Sequence, residues 1–155
     1  MNSNSWRDGI KVHPAADMFP MPSEVELDEL AADIADGVLH PIVWLKDELL
    51  DGRSRVAAIA RIADESRREQ ICKEWREGKN CIIHPFHADP FGYVVSANIH
   101  RRHLTAEQKD DVIAALLKAH PEQSDRAIAK TAKVSDKTVT AARREAEASL
   151  DGRAG

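Results

Sequence analysis

The sequence predicts an α+β fold in which a small sheet-and-helix unit is followed by an all-helical unit. Three observations predict it. Short apolar segments typical of strands occur in the first half of the chain, helical periodicity covers the second half, and glycine and proline residues separate the segments. The expected parts are a flexible N-terminus (1–9), an α+β unit (10–88), a helical unit (89–148) and a flexible tail (149–155).

The first half of the chain alternates short strands with helices. Residues 10–12 alternate in polarity, as a strand with one buried face does. Ser23 is predicted to cap a helix that ends at Gly37, because Glu26 completes a capping box with it. Residues 42–50 predict a hairpin, since two apolar segments flank a polar pair that suits a turn.

After Gly52 the apolar residues recur at helical spacing. The buried stripe of this helix is predicted to consist of Val56, Ile59, Ala60 and Ala63. A further helix ends at Gly78, and residues 81–83 form a strand. Four more helices are expected, over residues 89–100, 105–119, 124–132 and 136–148.

The composition is that of a globular protein. Hydrophobic residues make up 43% of the chain, which suffices for a packed core. No apolar run approaches the roughly 20 residues of a membrane helix, and the N-terminal segment lacks the basic-then-apolar order of a signal peptide. The two cysteines, Cys72 and Cys81, cannot form a disulfide framework. We therefore expect a cytoplasmic protein with no membrane partner.

The charge of the chain is unevenly distributed. The formal net charge of -4 argues against a protein that coats nucleic acid non-specifically. Residues 1–50 carry three basic side chains against ten acidic ones, whereas residues 124–144 carry six basic against two acidic. Contact with phosphates requires such a local basic patch, although a solvated helical face has the same composition.

The segment 124–148 is predicted to be a helix-turn-helix. Ser124 caps its first helix and Ser135 its second. Ala129 matters because a larger side chain would hold two steeply crossing helices apart. Lys133 stands in the turn where glycine is usual, so it is expected to adopt a left-handed conformation. Val134 is expected in the turn, and the residues expected to face the interior are Ile128, Ala129, Ala132, Val139 and Ala142.

This spacing resembles the helix-turn-helix of many DNA-binding proteins, which implies double-stranded DNA as a partner. The second helix would enter the major groove with its N-terminus first. Those of its residues expected to project outward are Ser135, Asp136, Lys137, Thr140 and Arg144. The predicted DNA-binding residues are Arg126, Ser135, Lys137, Thr138, Thr140, Arg143 and Arg144. The alternative is a helical hairpin that only packs on its neighbours.

Two other stretches suit the binding of an anion. In LLDGRSRVAAI (49–59) a strand turns through Gly52 into a helix, so that backbone N–H groups and a helix dipole meet at one spot, followed by two arginines. In SANIHRRHLT (96–105), Asn98 and Arg101 precede the next helix cap. We expect the two stretches to converge on one phosphate group.

Both stretches resemble the boxes of ParB-type partition proteins, in the same order and over most of residues 10–144. In that family a GxRR-like box follows a strand, and an ENxxR-like box precedes the helices that carry the helix-turn-helix. The resemblance implies a ParB/sulfiredoxin-like domain that binds CTP with magnesium and closes as a clamp on DNA. The phosphate- or nucleotide-binding residues that it implies are Gly52, Arg53, Ser54, Arg55, Asn98 and Arg101.

The chain departs from that family in three places. Ala97 stands where the second box has a glutamate associated with metal and hydrolysis, residues 21–23 lack the family's arginine, and no C-terminal dimerisation domain follows the helix-turn-helix. We therefore expect a DNA-binding protein without nucleotide turnover, which acts in partition or in transcriptional regulation of a mobile element or phage. It is expected to be a monomer or a weak homodimer whose pairing DNA or nucleotide promotes.

An enzyme on the same domain is the alternative hypothesis, either a CTP hydrolase or a free-serine-type kinase. Kinases of this superfamily have an aspartate-glycine box similar to Asp51-Gly52, in which the aspartate would act as a base toward a hydroxyl. The simpler interpretation, which we favour, is that Asp51 caps the helix beginning at Arg53.

Zinc is a further hypothesis, raised by the spacing of Cys72, Cys81, His84 and His87. Cys72 is predicted on an amphipathic helix and Cys81 in a strand, where cysteine usually serves as a small core residue. We therefore expect two core cysteines and no metal.

Overall fold

The fold is α+β, as described by a computed structural model of residues 9–85, 88–99 and 104–151. These residues form seven α-helices and one four-stranded sheet of mixed direction, which confirms the predicted fold class. The chain divides into two compact units, Met1–Ala88 and Asp89–Gly155. Among the described residues, no helix combines the length and the apolar character needed to cross a membrane.

The sheet of the first unit is built around the predicted hairpin. Its strands are β1 (Lys11–Val12), β2 (Ile42–Leu45), β3 (Glu48–Asp51) and β4 (Cys81–Ile83), in the order β1-β3-β2-β4. The central strands β2 and β3 are antiparallel, and each pairs in parallel with its outer neighbour. Lys46 adopts a left-handed conformation (φ 54°) in the tight turn between the central strands.

Three α-helices complete the first unit: α1 (Glu24–Ala35), α2 (Arg53–Ile59) and α3 (Glu65–Arg76). The predicted capping box of α1 is present, because Ser23 Oγ accepts from Glu26 N at 3.3 Å and Glu26 Oε2 accepts from Ser23 N at 2.8 Å. The helices share one hydrophobic cluster with the sheet. Its buried members are Leu27, Ala31, Ile34, Ile42, Leu49, Ala58, Ile59, Ile62, Ile71, Cys72 and Trp75.

Helix α2 is shorter than the apolar spacing predicts, and part of its predicted stripe is wrong. Ala60 and Ala63 are exposed, whereas Ala58 and Ile62 are buried. The reason lies in the backbone, which tightens at the helix end: Ile62 N bonds to Ile59 O at 3.2 Å, a separation of three residues instead of four. The 3.6-residue period therefore stops at the end of the helix.

The second unit is helical in its described residues. Its helices are α4 (Pro90–Asn98), α5 (Ala106–Ala119), α6 (Asp125–Ala132) and α7 (Asp136–Asp151). The predicted capping box of Thr105 and Gln108 begins α5. Helix α6 packs against α4, α5 and α7, so the predicted helix-turn-helix is held in a helical core.

Candidate nucleic-acid interface

Helices α6 and α7 and the turn between them have the predicted form. Ser124 Oγ accepts from Ala127 N at 3.3 Å and caps α6. Ser135 Oγ accepts from Thr138 N at 3.2 Å, in the arrangement of a cap for α7. Ile128 and Val139 are completely buried, on α6 and α7 respectively. Each helix therefore has its own N-terminal cap, and each contributes one apolar side chain to the core.

Lys133 ends α6 in a left-handed conformation, with φ 56° and ψ 43°. The sequence predicts this conformation, because Lys133 stands where turns of this kind usually have a glycine. The structure confirms the prediction. Its backbone N–H bonds to Ala129 O, and the next residue, Val134, bonds to the same oxygen at 3.1 Å. The chain can therefore reverse within three residues and begin α7 at Asp136.

Five basic side chains of this motif are exposed and form no ion pair with the described residues. Two are on α7 and the others are on α6 and in the turn: Arg126, Lys130, Lys133, Lys137 and Arg144. Lys137 and Arg144 are seven residues apart, which is close to two helical turns, so they lie on one face of α7. This face presents two basic side chains to solvent, although the charge of Arg144 also helps to lower the pKa of Asp125.

Arg143 and Thr140 are also on α7, but they are hydrogen-bonded to α6. Thr140 Oγ1 donates to Asp125 Oδ2 at 2.6 Å, and Arg143 Nε donates to Asp125 Oδ1 at 2.7 Å. The predicted outward position of Thr140 is wrong, because the side chain is half-buried and faces Asp125. Ser135, Asp136, Lys137 and Arg144 are exposed, as predicted.

Asp125 is stabilised in its ionised form by these two donors. The hydrogen bonds from Thr140 and then Arg143 hold the pKa of Asp125 below its ordinary value of 3.8. A carboxylate whose pKa is lower in the folded chain than in the unfolded chain stabilises the fold above pH 3.8. That contribution is lost as the pH falls below 3.8 and the carboxylate takes up a proton.

We therefore expect an Asp125→Asn variant to be less stable than the parent at neutral pH, with a difference that shrinks as the pH falls below 3.8. Thermal unfolding of both proteins followed by circular dichroism between pH 7 and pH 3 measures this difference. Other carboxylates also take up protons as the pH falls over this range, and the comparison with the variant isolates Asp125. A difference independent of pH would contradict the role of the charge.

Three exposed residues of the helix-turn-helix are further candidates for contact that the sequence does not single out: Lys130, Lys133 and Ala141. Lys130 on α6 and Lys133 in the turn contribute to the local positive charge, and both are exposed. Ala141 is exposed between Lys137 and Arg144 on the same face of α7. The side chain of alanine gives no chemical reason to predict contact. Ala141 is identified by its spacing, because it is four residues after Lys137 and three residues before Arg144, on the same face of the helix.

The second predicted site, around Gly52, contains two arginines that are paired with carboxylates. Arg53 donates to Asp17 and, at 2.6 Å, to the carbonyl oxygen of Phe19. Arg55 donates to Asp51 Oδ2 at 3.1 Å and to the carbonyl oxygen of Pro41 at 2.9 Å. Both positive charges are therefore compensated within the first unit.

Three other predicted anion-binding residues are placed as follows. Ser54 is buried, and so is Asn98, whose amide donates to Val94 O at 2.9 Å within α4. Arg101 lies outside the described residues. The predicted convergence of the two stretches joins residues of two different units and stays a prediction.

The structure assigns Asp51 a different role from the predicted cap. Gly52 is the N-cap residue of α2, in a left-handed conformation, and there is no side-chain capping hydrogen bond at this helix end. The carboxylate of Asp51 pairs with Arg55 one turn further on, and both side chains are mostly buried. The prediction that Asp51 caps the helix is therefore wrong, because the ion pair with Arg55 takes its place.

The two cysteines have the surroundings of core residues. Cys72 is buried on α3, and the thiol of Cys81 donates to Trp75 O at 3.6 Å. Burial raises the pKa of Cys81 and outweighs a hydrogen bond with Trp44 that lowers it, so the thiol keeps its proton at neutral pH. His87 of the zinc hypothesis lies outside the described residues, and those residues hold no cluster of three or more possible ligands.

Comparison of the chain with known protein families, with curated proteins and with solved structures gives no match.

Proposed function

We propose that this protein binds double-stranded DNA through the helix-turn-helix formed by α6 and α7. The observation that carries the proposal is the face of α7 on which Lys137 and Arg144 are exposed and form no ion pair within the described part of the chain. Exposed lysine and arginine side chains on a helix that follows a tight turn suit the phosphates and guanine edges of a major groove. An acidic chain is compatible with this role, because the positive charge is local.

Within this class, we propose a ParB-like protein that acts in partition or in transcriptional regulation of a mobile element or phage. The support is the order of the parts: the strand-turn-helix box at Gly52, the second box at Asn98, and the helix-turn-helix after them. The DNA-binding proposal does not depend on a nucleotide, and it stands separately from the CTP that the resemblance implies.

Replacing Lys137 or Arg144 by alanine is expected to weaken DNA binding by about tenfold each, because one direct contact is worth about 1–3 kcal/mol. The measurement is fluorescence anisotropy of a labelled duplex that the parent protein selects from a randomised pool. Lys118→Ala is the matched control, since Lys118 is an exposed lysine on α5, outside the motif.

The parent is also expected to lose affinity steeply as salt rises from about 50 to 200 mM, since each phosphate contact releases counterions. Affinities of both α7 variants equal to that of the parent would contradict the role of this face. Absence of any salt-dependent affinity in the parent would favour the alternative, a helical hairpin that only packs.

A further inference from the structure

Asp125 connects the two helices of the motif through both of its carboxylate oxygens. One oxygen accepts the hydroxyl of Thr140 at 2.6 Å, and the other accepts Arg143 Nε at 2.7 Å. The Thr140 hydroxyl also lies 3.0 Å from Asp136 O, but it has one hydrogen, which the closer carboxylate takes. Asp125, Thr140 and Arg143 together therefore connect α6 to α7.

We propose that Arg143 and Thr140 are positioning residues, which hold α7 against α6 through Asp125 and thereby place Lys137 and Arg144, without touching DNA themselves. This inference rests on the proposed DNA binding and corrects the set of contacts predicted from the sequence. The chemistry of both residues and their place on α7 predict contact with DNA. Their hydrogen bonds assign them to the interior of the motif.

The guanidinium of Arg143 has further partners in the segment before α6. Its Nη2 donates to Gln123 O at 2.7 Å, and its Nη1 lies 3.4 Å from Pro121 O. One side chain of α7 therefore binds the loop that follows α5 as well as the first turn of α6. Arginine suits this task because its planar guanidinium directs several donors at once.

The positive charge of Arg143 is neutralised by the carboxylate of Asp125. The nearest carboxylate is ionised, since Thr140 and Arg143 lower the pKa of Asp125, and about three quarters of the Arg143 side chain is buried. An ion pair of this kind releases few counterions when DNA approaches, whereas an unpaired side chain releases about one. Arg143 therefore adds little to the salt dependence of binding.

Arg144, the next residue, provides the contrast. One step along an α-helix rotates the side chain by roughly 100°, so neighbouring arginines face different surroundings. Arg144 is exposed and forms no ion pair with the described residues. Arg143 and Arg144 therefore form a matched pair for experiment. We assign Arg143 to positioning α7 and Arg144 to contact with DNA.

The test compares Arg143→Met with Arg144→Met in the full chain, since methionine keeps an unbranched stem and removes the charge. Affinity for a labelled duplex selected by the parent from a randomised pool is measured from about 50 to 200 mM salt. Arg144→Met is expected to reduce the slope of log affinity against log salt by about 0.9. Arg143→Met is expected to lose about tenfold in affinity, which equals about 1.4 kcal/mol, with the parent's slope, because a displaced α7 misplaces Lys137 and Arg144 without removing their charges.

Thr140→Val supplies a second variant, because it removes one hydroxyl, keeps the shape and alters no charge. It is expected to weaken binding in the same way as Arg143→Met, again with an unchanged slope. If Arg143→Met fails to fold, as shown by the loss of a cooperative unfolding transition, Thr140→Val alone is compared with Arg144→Met in affinity and salt slope. A purely stabilising role would lower the melting temperature of both variants but leave the affinity of the folded protein unchanged, and that result would overturn the proposal.

Two other outcomes are equally decisive and differ from each other. A slope that falls as much in Arg143→Met as in Arg144→Met would show that Arg143 contacts phosphates, while the DNA-binding function stands. A parent protein without salt-dependent affinity for the duplex would remove the proposed function, and the positioning role with it.

Discussion

Gly52→Ala is expected to lower the free energy of unfolding by about 2–4 kcal/mol, one of the two largest effects that we anticipate in this chain. Two costs combine. A Cβ at this position would lie 2.6 Å from Ile42 Cγ2, and Ile42 is completely buried in β2 and has little freedom to move. The backbone φ of +112° is also unfavourable for any residue with a Cβ.

Gly37→Ala is the matched control, because Gly37 has a similar φ of +104° but no atom within 4 Å of the new Cβ. It is expected to cost only about 1 kcal/mol, the backbone part of the effect. Chemical denaturation of the parent and both variants gives the three free energies. Equal losses for the two variants would mean that the contact with Ile42 does not matter.

The role of Gly52 illustrates a limit of sequence reasoning at this site. A glycine between a strand and a helix allows a backbone to approach a phosphate, but it equally allows one to approach a neighbouring side chain. The sequence suggests approach to a phosphate, because two arginines follow the glycine. The structure shows approach to the side chain of Ile42, and it shows a carboxylate partner for each arginine.

Local signals in the sequence were sufficient where a single segment determines the structure. The caps at Ser23, Thr105 and Ser124 depend on residues within three positions, and the structure confirms all three. The left-handed conformation of Lys133 is equally local, because it follows from the position of this residue in the turn after α6. Strand positions followed from the same kind of pattern.

Long-range partners could not be predicted in the same way. Arg143 is chemically identical to Arg144, and only the folded chain shows that Asp125, eighteen residues earlier, accepts its hydrogen bond. The pairing of Arg53 with Asp17 spans a still longer separation. A basic residue in a sequence is therefore a candidate for contact, and its burial and partners decide whether it is available.

The other large effect is expected for Ala129→Leu, because Ala129 lies in the interior of the motif, 2% exposed, on the helix that packs against α4, α5 and α7. Three added carbon atoms have no space there, so α6 and α7 must separate or the leucine must adopt a strained conformation, at a cost of about 1–3 kcal/mol. Displacement of α7 moves the face that carries Lys137 and Arg144. DNA affinity should therefore fall together with stability.

Ala127→Leu is the control for this change, because Ala127 is exposed on the same helix and leucine forms helices about as well as alanine. It is expected to change the free energy of unfolding by less than about 0.5 kcal/mol and to leave DNA binding intact. Chemical denaturation and duplex anisotropy on both variants distinguish the two positions. Parent-like stability in Ala129→Leu would mean that the helices tolerate a wider spacing, and the need for a small residue at their crossing would then have to be abandoned.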